Sequence, residues 1–216
     1  PTFDELENPK SNLASEVYSA DQKVLGTYFV QNRSNIKFEN LSPYVVNALV
    51  STEDERYYSH SGVDLYSLAR AIILMGKRGG GSTVTQQLAK NLFETRSGEN
   101  RLRGGAIVQK PAEWIIATRL ERRYTKDEIM ALYLNTVDFI NGAVGIKSAS
   151  KVYFNTSPDS LKIEQAATFV GMLKNPALFN PRRRVELTRD RRNTVFGQMK
   201  RNGFITEAEM DSLDQL

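Results

Sequence analysis

The sequence predicts a mainly α protein with a small β-hairpin appendage at its N-terminal end. Apolar residues recur at helical spacing from Ser42 onward, helix-starting and helix-stopping residues bracket those stretches, and two short β-type runs lie before them. The runs, 15–19 and 24–30, flank Asp21-Gln22-Lys23, the pattern of a hairpin. Ser42 followed by Pro43 is a cap with proline in the first helical turn, and Val46, Leu49 and Val50 form that helix's stripe. A second helix is expected to begin near Asp64, with Leu65, Leu68, Ala69, Ile72 and Ile73 on one side, and to end at the glycines 79–81. A polar tract then opens a third. Residues 94–109 hold Arg96, Arg101, Arg103, Gly98, Gly104 and Gly105 with weak periodicity, and read as a mobile basic loop. Thr125-Lys126-Asp127-Glu128 is a capping box before Ile129, Leu132 and Tyr133. Further helices are expected over 162–174, stopped by Asn175-Pro176, and over 185–201, stopped near Gly203. The expected division is a hairpin and linker over 1–40 and one helical domain over 41–216.

Charged residues make up 25% and hydrophobic ones 40% of the 216, a globular rather than a disordered composition. With no cysteine, disulfides and thiolate zinc sites are excluded. A single histidine, His60, argues against a histidine-rich metal site or a serine–histidine triad built elsewhere. The net charge of +4 is unevenly spread: residues 182–201 carry eight bases against Glu186 and Asp190, whereas the last eleven residues hold four acids and no base. A basic patch implies an anionic partner such as nucleic acid, a membrane surface or a phosphorylated ligand. No apolar run approaches the ~18 residues that span a bilayer. The chain begins at Pro1 rather than Met, as an excised portion of a longer chain would.

The tract Gly80-Gly81-Ser82-Thr83-Val84-Thr85-Gln86-Gln87-Leu88-Ala89-Lys90-Asn91 is the most informative stretch. Glycines allow close backbone approach, Ser82 can cap the following helix, and the free N–H groups of a helix start favour anions. Gln87 and Lys90, three apart, share a helix face. A polar surface helix after a flexible loop is the bland alternative, but it does not ask for two amides, an ammonium and an asparagine in fixed register.

Carboxylates supply the second set of candidates. Glu53 continues the stripe 46, 49, 50 at position i+7, and a carboxylate on an apolar face is costly unless paired. Such a group suits general acid or base work; the structural alternative is a pair with Arg56. Lys110, Glu113, Ala117 and Glu121 fall on one face of another helix. Pro111 is expected at its first helical position with Lys110 as the cap, which places Glu113 in the first turn near the positive end of the helix dipole. The alternative there is a solvent-facing ladder with Arg119, Arg122 and Arg123. Lys126, Tyr133 and Asn135 form a third cluster, in which the tyrosine is ordinarily core. Arg191 and Arg192 face either a phosphate or solvent.

In combination and order these clusters resemble the peptidoglycan glycosyltransferase domain, the lysozyme-like transferase of class A penicillin-binding proteins and monofunctional transglycosylases. The family pattern E-D-x-x-F-x-x-H-x-G is matched from Glu53 and Asp54 through His60 to Gly62, with Tyr57 for phenylalanine. G-x-S-T-x-T-Q-Q-x-x-K-N is met in full over 80–91. The third pattern reads Gln109, Lys110, Glu113, Ala117, Glu121, with Gln109 in place of a basic residue and Pro111 as an unexpected residue inside the motif. Lys126, Ile129, Tyr133 and Asn135 match the fourth, with Met130 for leucine, and Arg191, Arg192 and Val195 the fifth, with Phe196 last.

The resemblance implies a lysozyme-like glycosyltransferase fold that polymerises lipid II. Glu53 would be the general base on the acceptor's 4-hydroxyl, with inversion at the donor anomeric carbon and release of undecaprenyl pyrophosphate. Glu113 would be a second essential carboxylate, acting directly or through a divalent metal such as Mg or Mn. Lys110 would neutralise the leaving pyrophosphate, with Gln87, Lys90, Asn91, Ser82, Thr83, Arg56, His60, Asn135 and Arg191 as substrate-binding residues. The implied partners are lipid II, the growing glycan strand, the membrane surface, moenomycin-type inhibitors, and a transpeptidase domain or other cell-wall synthesis proteins, not nucleic acid. The implied location is the outer, periplasmic face of the bacterial inner membrane. A lysozyme-like glycoside hydrolase is the competing class and a helical nucleic-acid binder a more distant one; neither accounts for both the cations and the 80–91 tract.

Overall fold

The computed structural model describes residues 15–18, 20–21, 24–28, 36–73, 81–93 and 106–215. Strands β1 (Ser15–Tyr18) and β2 (Val24–Tyr28) pair antiparallel, Ser15 opposite Tyr28 and Glu16 opposite Thr27, with a register shift between Val17 and Tyr18. The hairpin expected from the sequence therefore forms. Among the described residues the long elements after it are helices: α1 (Pro43–Glu53), α2 (Leu65–Ile73), α3 (Val84–Phe93), α4 (Ala106–Glu121), α5 (Lys126–Thr136), α6 (Ile146–Phe154), α7 (Ile163–Leu173), α8 (Val185–Arg201) and α9 (Glu207–Asp214).

Caps fix most helix starts. Ser42 Oγ accepts from the Tyr44 amide at 3.3 Å and donates to the Leu161 carbonyl at 2.8 Å, so the cap of α1 also ties it to the chain entering α7. Asp64 takes the Tyr66 and Ser67 amides at the head of α2. The capping box of α5 forms as read, and Thr206 with Glu209 builds another on α9.

Three expectations give way. Thr83, not Ser82, caps α3, its Oγ1 accepting from Gln86 N at 3.2 Å; the Ser82 hydroxyl is taken by Lys110 instead. Helix α4 begins at Ala106, so Pro111 lies inside it and residues 106–109 are not loop. A proline in the second turn forfeits its own N–H bond and crowds the carbonyl four residues back, yet the helix continues through it. Glu113 is consequently two turns in, away from the dipole end. The remainder of the expected basic loop, 94–105, lies outside the described residues.

Helices α1, α7 and α8 pack against one another, α3 packs on α4 and α5, and α9 rests on α8. One continuous core runs through them, with Leu49, Leu88, Leu134, Phe169 and Phe196 essentially inaccessible. Phe169 meets Phe139, Tyr153 and Phe154 edge-on at 5.0–5.9 Å; truncating such a side chain to alanine costs about 3–5 kcal/mol. Helix α2 contributes little to this core: Leu65 and Ile73 are 72% and 77% exposed.

Candidate active site

A cleft of about 780 Å³ opens where the end of α1 and the turn after it face α8 and the start of α3. Its walls include Glu53, Ser82, Thr83, Gln87, Lys174 and Arg191. Glu53, the last residue of α1, is half-buried, and its Oε2 accepts a 2.8 Å hydrogen bond from the Gln87 amide nitrogen. The oxygen of that amide accepts in turn from the buried Tyr133 hydroxyl, also at 2.8 Å. Burial first, and the Glu53 charge second, push this phenol well above its ordinary value, so it is a donor at neutral pH.

Arg191 enters from α8 past Gly171, where a Cβ would stand 3.1 Å from the Arg191 Cγ. Burial draws its guanidinium below the ordinary value, and the Glu53 carboxylate opposes that. The alternative pairing of Glu53 with Arg56 does not form: Arg56 lies 3.5 Å from Asp64 and over the Tyr66 ring at 4.9 Å. Of the four carboxylates lining the cleft, Asp54 is engaged by His60, Glu55 by Arg201 and Asp64 by Arg56. Glu53 receives, among the described residues, a single hydrogen bond from a neutral amide. It is the carboxylate the cleft leaves available for chemistry.

The cation expected beside it sits one residue behind the wall. Lys110 Nζ donates to Ser82 Oγ at 2.8 Å and pairs with Glu113 at 2.9 Å. Ser82 lines the cleft, while Glu113 is only 1% exposed. Lys110 thus connects the cleft rim to a buried acid. Gln109, where the family pattern has a base, is buried, a position an uncharged amide tolerates better than a cation.

Other candidate residues stand elsewhere. His60 is buried; its Nε2 meets both Asp54 oxygens at 3.0 Å while Nδ1 accepts from Gly62 N at 3.2 Å, which fixes the proton on Nε2. Asp54 also accepts from Val84 N at 3.0 Å. Thr83 lines the cleft, but its hydroxyl donates to the Gly62 carbonyl at 2.6 Å. Gly62 adopts φ +90° and a Cβ there would lie 2.8 Å from the Ala117 carbonyl, so only glycine fits. Asn135 is buried against the Ile36 main chain, donating at 2.9 Å and accepting at 3.1 Å. Asp54, His60, Gly62 and Thr83 form a polar hub joining α1, α3 and α4, and His60, Asn135 and Arg56 do not line the cleft. Lys90 and Asn91 are exposed on α3 and also lie off the lining.

Glu121 of α4 faces the hub rather than solvent. Glu121 accepts from Thr85 at 2.6 Å and from Lys126 at 2.7 Å. The Lys126 ammonium stands 4.6 Å from the centre of the Tyr57 ring, and the Tyr57 hydroxyl donates to the Lys126 carbonyl at 2.5 Å. Sequence reasoning missed Arg70, Lys174 and Gln198 on the cleft wall, and no local pattern marks them. Among the described residues no three acidic, histidine or cysteine side chains are arranged to hold a metal ion, and Glu113 already carries an ammonium. These residues do not fit a divalent ion held by protein ligands alone.

Fold and site together define a helical transferase domain with one available carboxylate and flanking cations in a polar cleft. The family model described as Transglycosylase matches residues 21–200, and the chain belongs to that family. It is 35% identical to penicillin-binding protein 2a of Streptococcus pneumoniae, over 93% of this chain and 27% of the relative. It is 36% identical to penicillin-binding protein 1A of Aquifex aeolicus, over 98% and 30%, and 34% identical to penicillin-binding protein 1A of Escherichia coli, over 98% and 24%. The chain therefore spans about a quarter to a third of these relatives' length. The crystal structure of penicillin-binding protein 1A from Haemophilus influenzae covers 96% of this chain, by 21% of its own, with a TM-score of 0.53 and 19% identity, a likeness of fold.

Proposed function

We propose that this domain is a peptidoglycan glycosyltransferase that joins lipid II units into β-1,4 glycan with inversion, releasing undecaprenyl pyrophosphate. The observation that carries this is the solitary availability of Glu53 in a cleft whose other acids are engaged. A hydrolase needs a second carboxyl group to protonate its leaving oxygen. A pyrophosphate departs with its own charge and calls for cations rather than an acid. Glu53 would take the proton of the acceptor hydroxyl as that oxygen attacks the donor's anomeric carbon. Arg191 on the wall and Lys110 behind Ser82 would supply positive charge, with Ser82 and Gln87 as hydrogen-bonding groups on the wall.

The exposed Leu65, Tyr66 and Ile73 of α2 fit a membrane surface, where the lipid tail of the substrate resides. No helix among the described residues is long and apolar enough to cross a membrane. The corresponding location is the outer face of the inner membrane. Incubation with labelled lipid II should yield glycan polymer, and moenomycin should suppress it. Cleavage of finished glycan without chain growth would replace transferase by hydrolase.

A further inference from the structure

We propose that Tyr133 is a positioning residue for the base, acting through Gln87: its hydroxyl fixes the amide so that the NH2 group, not the oxygen, faces Glu53. Three side chains from three helices meet in series here, Tyr133 of α5, Gln87 of α3 and Glu53 of α1, through two 2.8 Å hydrogen bonds. Chemistry dictates the order of the atoms. An ionised carboxylate only accepts, so it must meet the amide nitrogen; the amide oxygen then faces Tyr133, which must donate. The reverse arrangement would suit a protonated Glu53 giving its proton to the amide oxygen. It would turn the amide NH2 toward Tyr133 and take from the buried phenolic O–H the acceptor it has. A buried donor without an acceptor is costly, so the phenol biases the chain of bonds toward ionised Glu53. The amide occupies Oε2 and leaves Oε1 for the incoming hydroxyl proton.

The charged groups around Glu53 do not substitute for this device. Arg191 of α8 and Lys174 after α7 line the same cleft, but neither hydrogen-bonds to Glu53 among the described residues. Asp54 is held by His60, and Glu55 by Arg201. Among the described residues Gln87 alone hydrogen-bonds to the carboxylate, and without Tyr133 only the carboxylate's own charge would orient its amide.

The assignment rests on the proposed glycosyl transfer and is tested with Tyr133→Phe, which keeps the ring and removes the donor. Initial rates of lipid II polymerisation between pH 5 and 8 should show the acidic limb of the kcat profile moved upward by about half to one pH unit. The loss in kcat should be largest at low pH and shrink as Glu53 ionises, with KM and the melting curve retained. Gln87→Met should produce an upward shift as well, and the double variant no more than the larger single shift. A rate reduced equally at every pH, or a Tyr133→Phe protein that no longer melts cooperatively, would overturn the inference, because the hydroxyl would then serve packing. Absence of polymer from the unsubstituted protein at any pH would instead remove the glycosyltransferase assignment itself.

Discussion

The cleft and the polar hub are built from the same residue types, and their hydrogen bonds separate them. In the hub, Asp54 has His60 and the Val84 amide, while Glu121 has Thr85 and Lys126. In the cleft, Glu53 has one amide, and the buried Arg191 Nε has no partner among the described residues. A satisfied network rigidifies the fold, whereas an unsatisfied polar group is a place where a ligand gains most. The hub thus holds the segment between α1 and α2 against α4, and that placement fixes the wall that carries Glu53.

The largest effect that would separate the two regions belongs to Glu53→Gln. Amide and acid are nearly isosteric, so the fold should melt unchanged while polymerisation falls by about a thousandfold or more, within the range of a lost general base. Substantial polymer from this variant would move the base elsewhere in the cleft.

Lys110 belongs to both regions and sharpens the comparison next. Lys110→Ala should lower turnover about 100-fold, the scale of one electrostatic donor. It should also destabilise the protein, because Glu113 loses the ammonium at 2.9 Å. Adding Glu113→Gln should return the melting temperature toward the original without returning the rate. If rate and stability recover together, Lys110 acts only as the counter-ion of Glu113.

Much of this was legible in the sequence because it is local. Caps at Ser42 and Thr125, the helix stops at Asn175-Pro176 and Gly203, and the hairpin all follow from neighbours within four residues. Helix α6 was not anticipated: it starts without a side-chain cap, after a turn in which Ile140, Asn141, Gly142 and Gly145 all take positive φ. Tertiary packing of Tyr153 and Phe154 on Phe169 explains it, and no window of sequence contains that. The start of α4 is not legible because the packing of α4 on α3, with Glu121 on Thr85, outweighs the proline's local preference. Motif positions identified the site's neighbourhood, yet they could not distinguish Glu53, which is available, from His60 and Asn135, which are spent on the fold. That distinction lies in contacts such as Tyr133 with Gln87, 46 positions apart.

Lys126→Met carries the smallest effect and tests the hub directly. The side chains of Lys126 and Glu121 are 20% and 7% exposed, and methionine can fill the space of the lysine stem while removing its charge. Glu121 would keep the Thr85 hydroxyl and lose its ion pair, and Tyr57 would lose the cation over its ring, for a cost of about 3 kcal/mol. Below the lowered melting point, turnover per folded molecule should remain within about twofold, because none of these groups lines the cleft. Adding Glu121→Gln should recover part of the stability, since an amide tolerates the site better than an unpaired carboxylate. A Lys126→Met protein that is fully folded yet tens of times slower would show that the hub transmits more than rigidity to Glu53, and the division between the two regions would no longer hold.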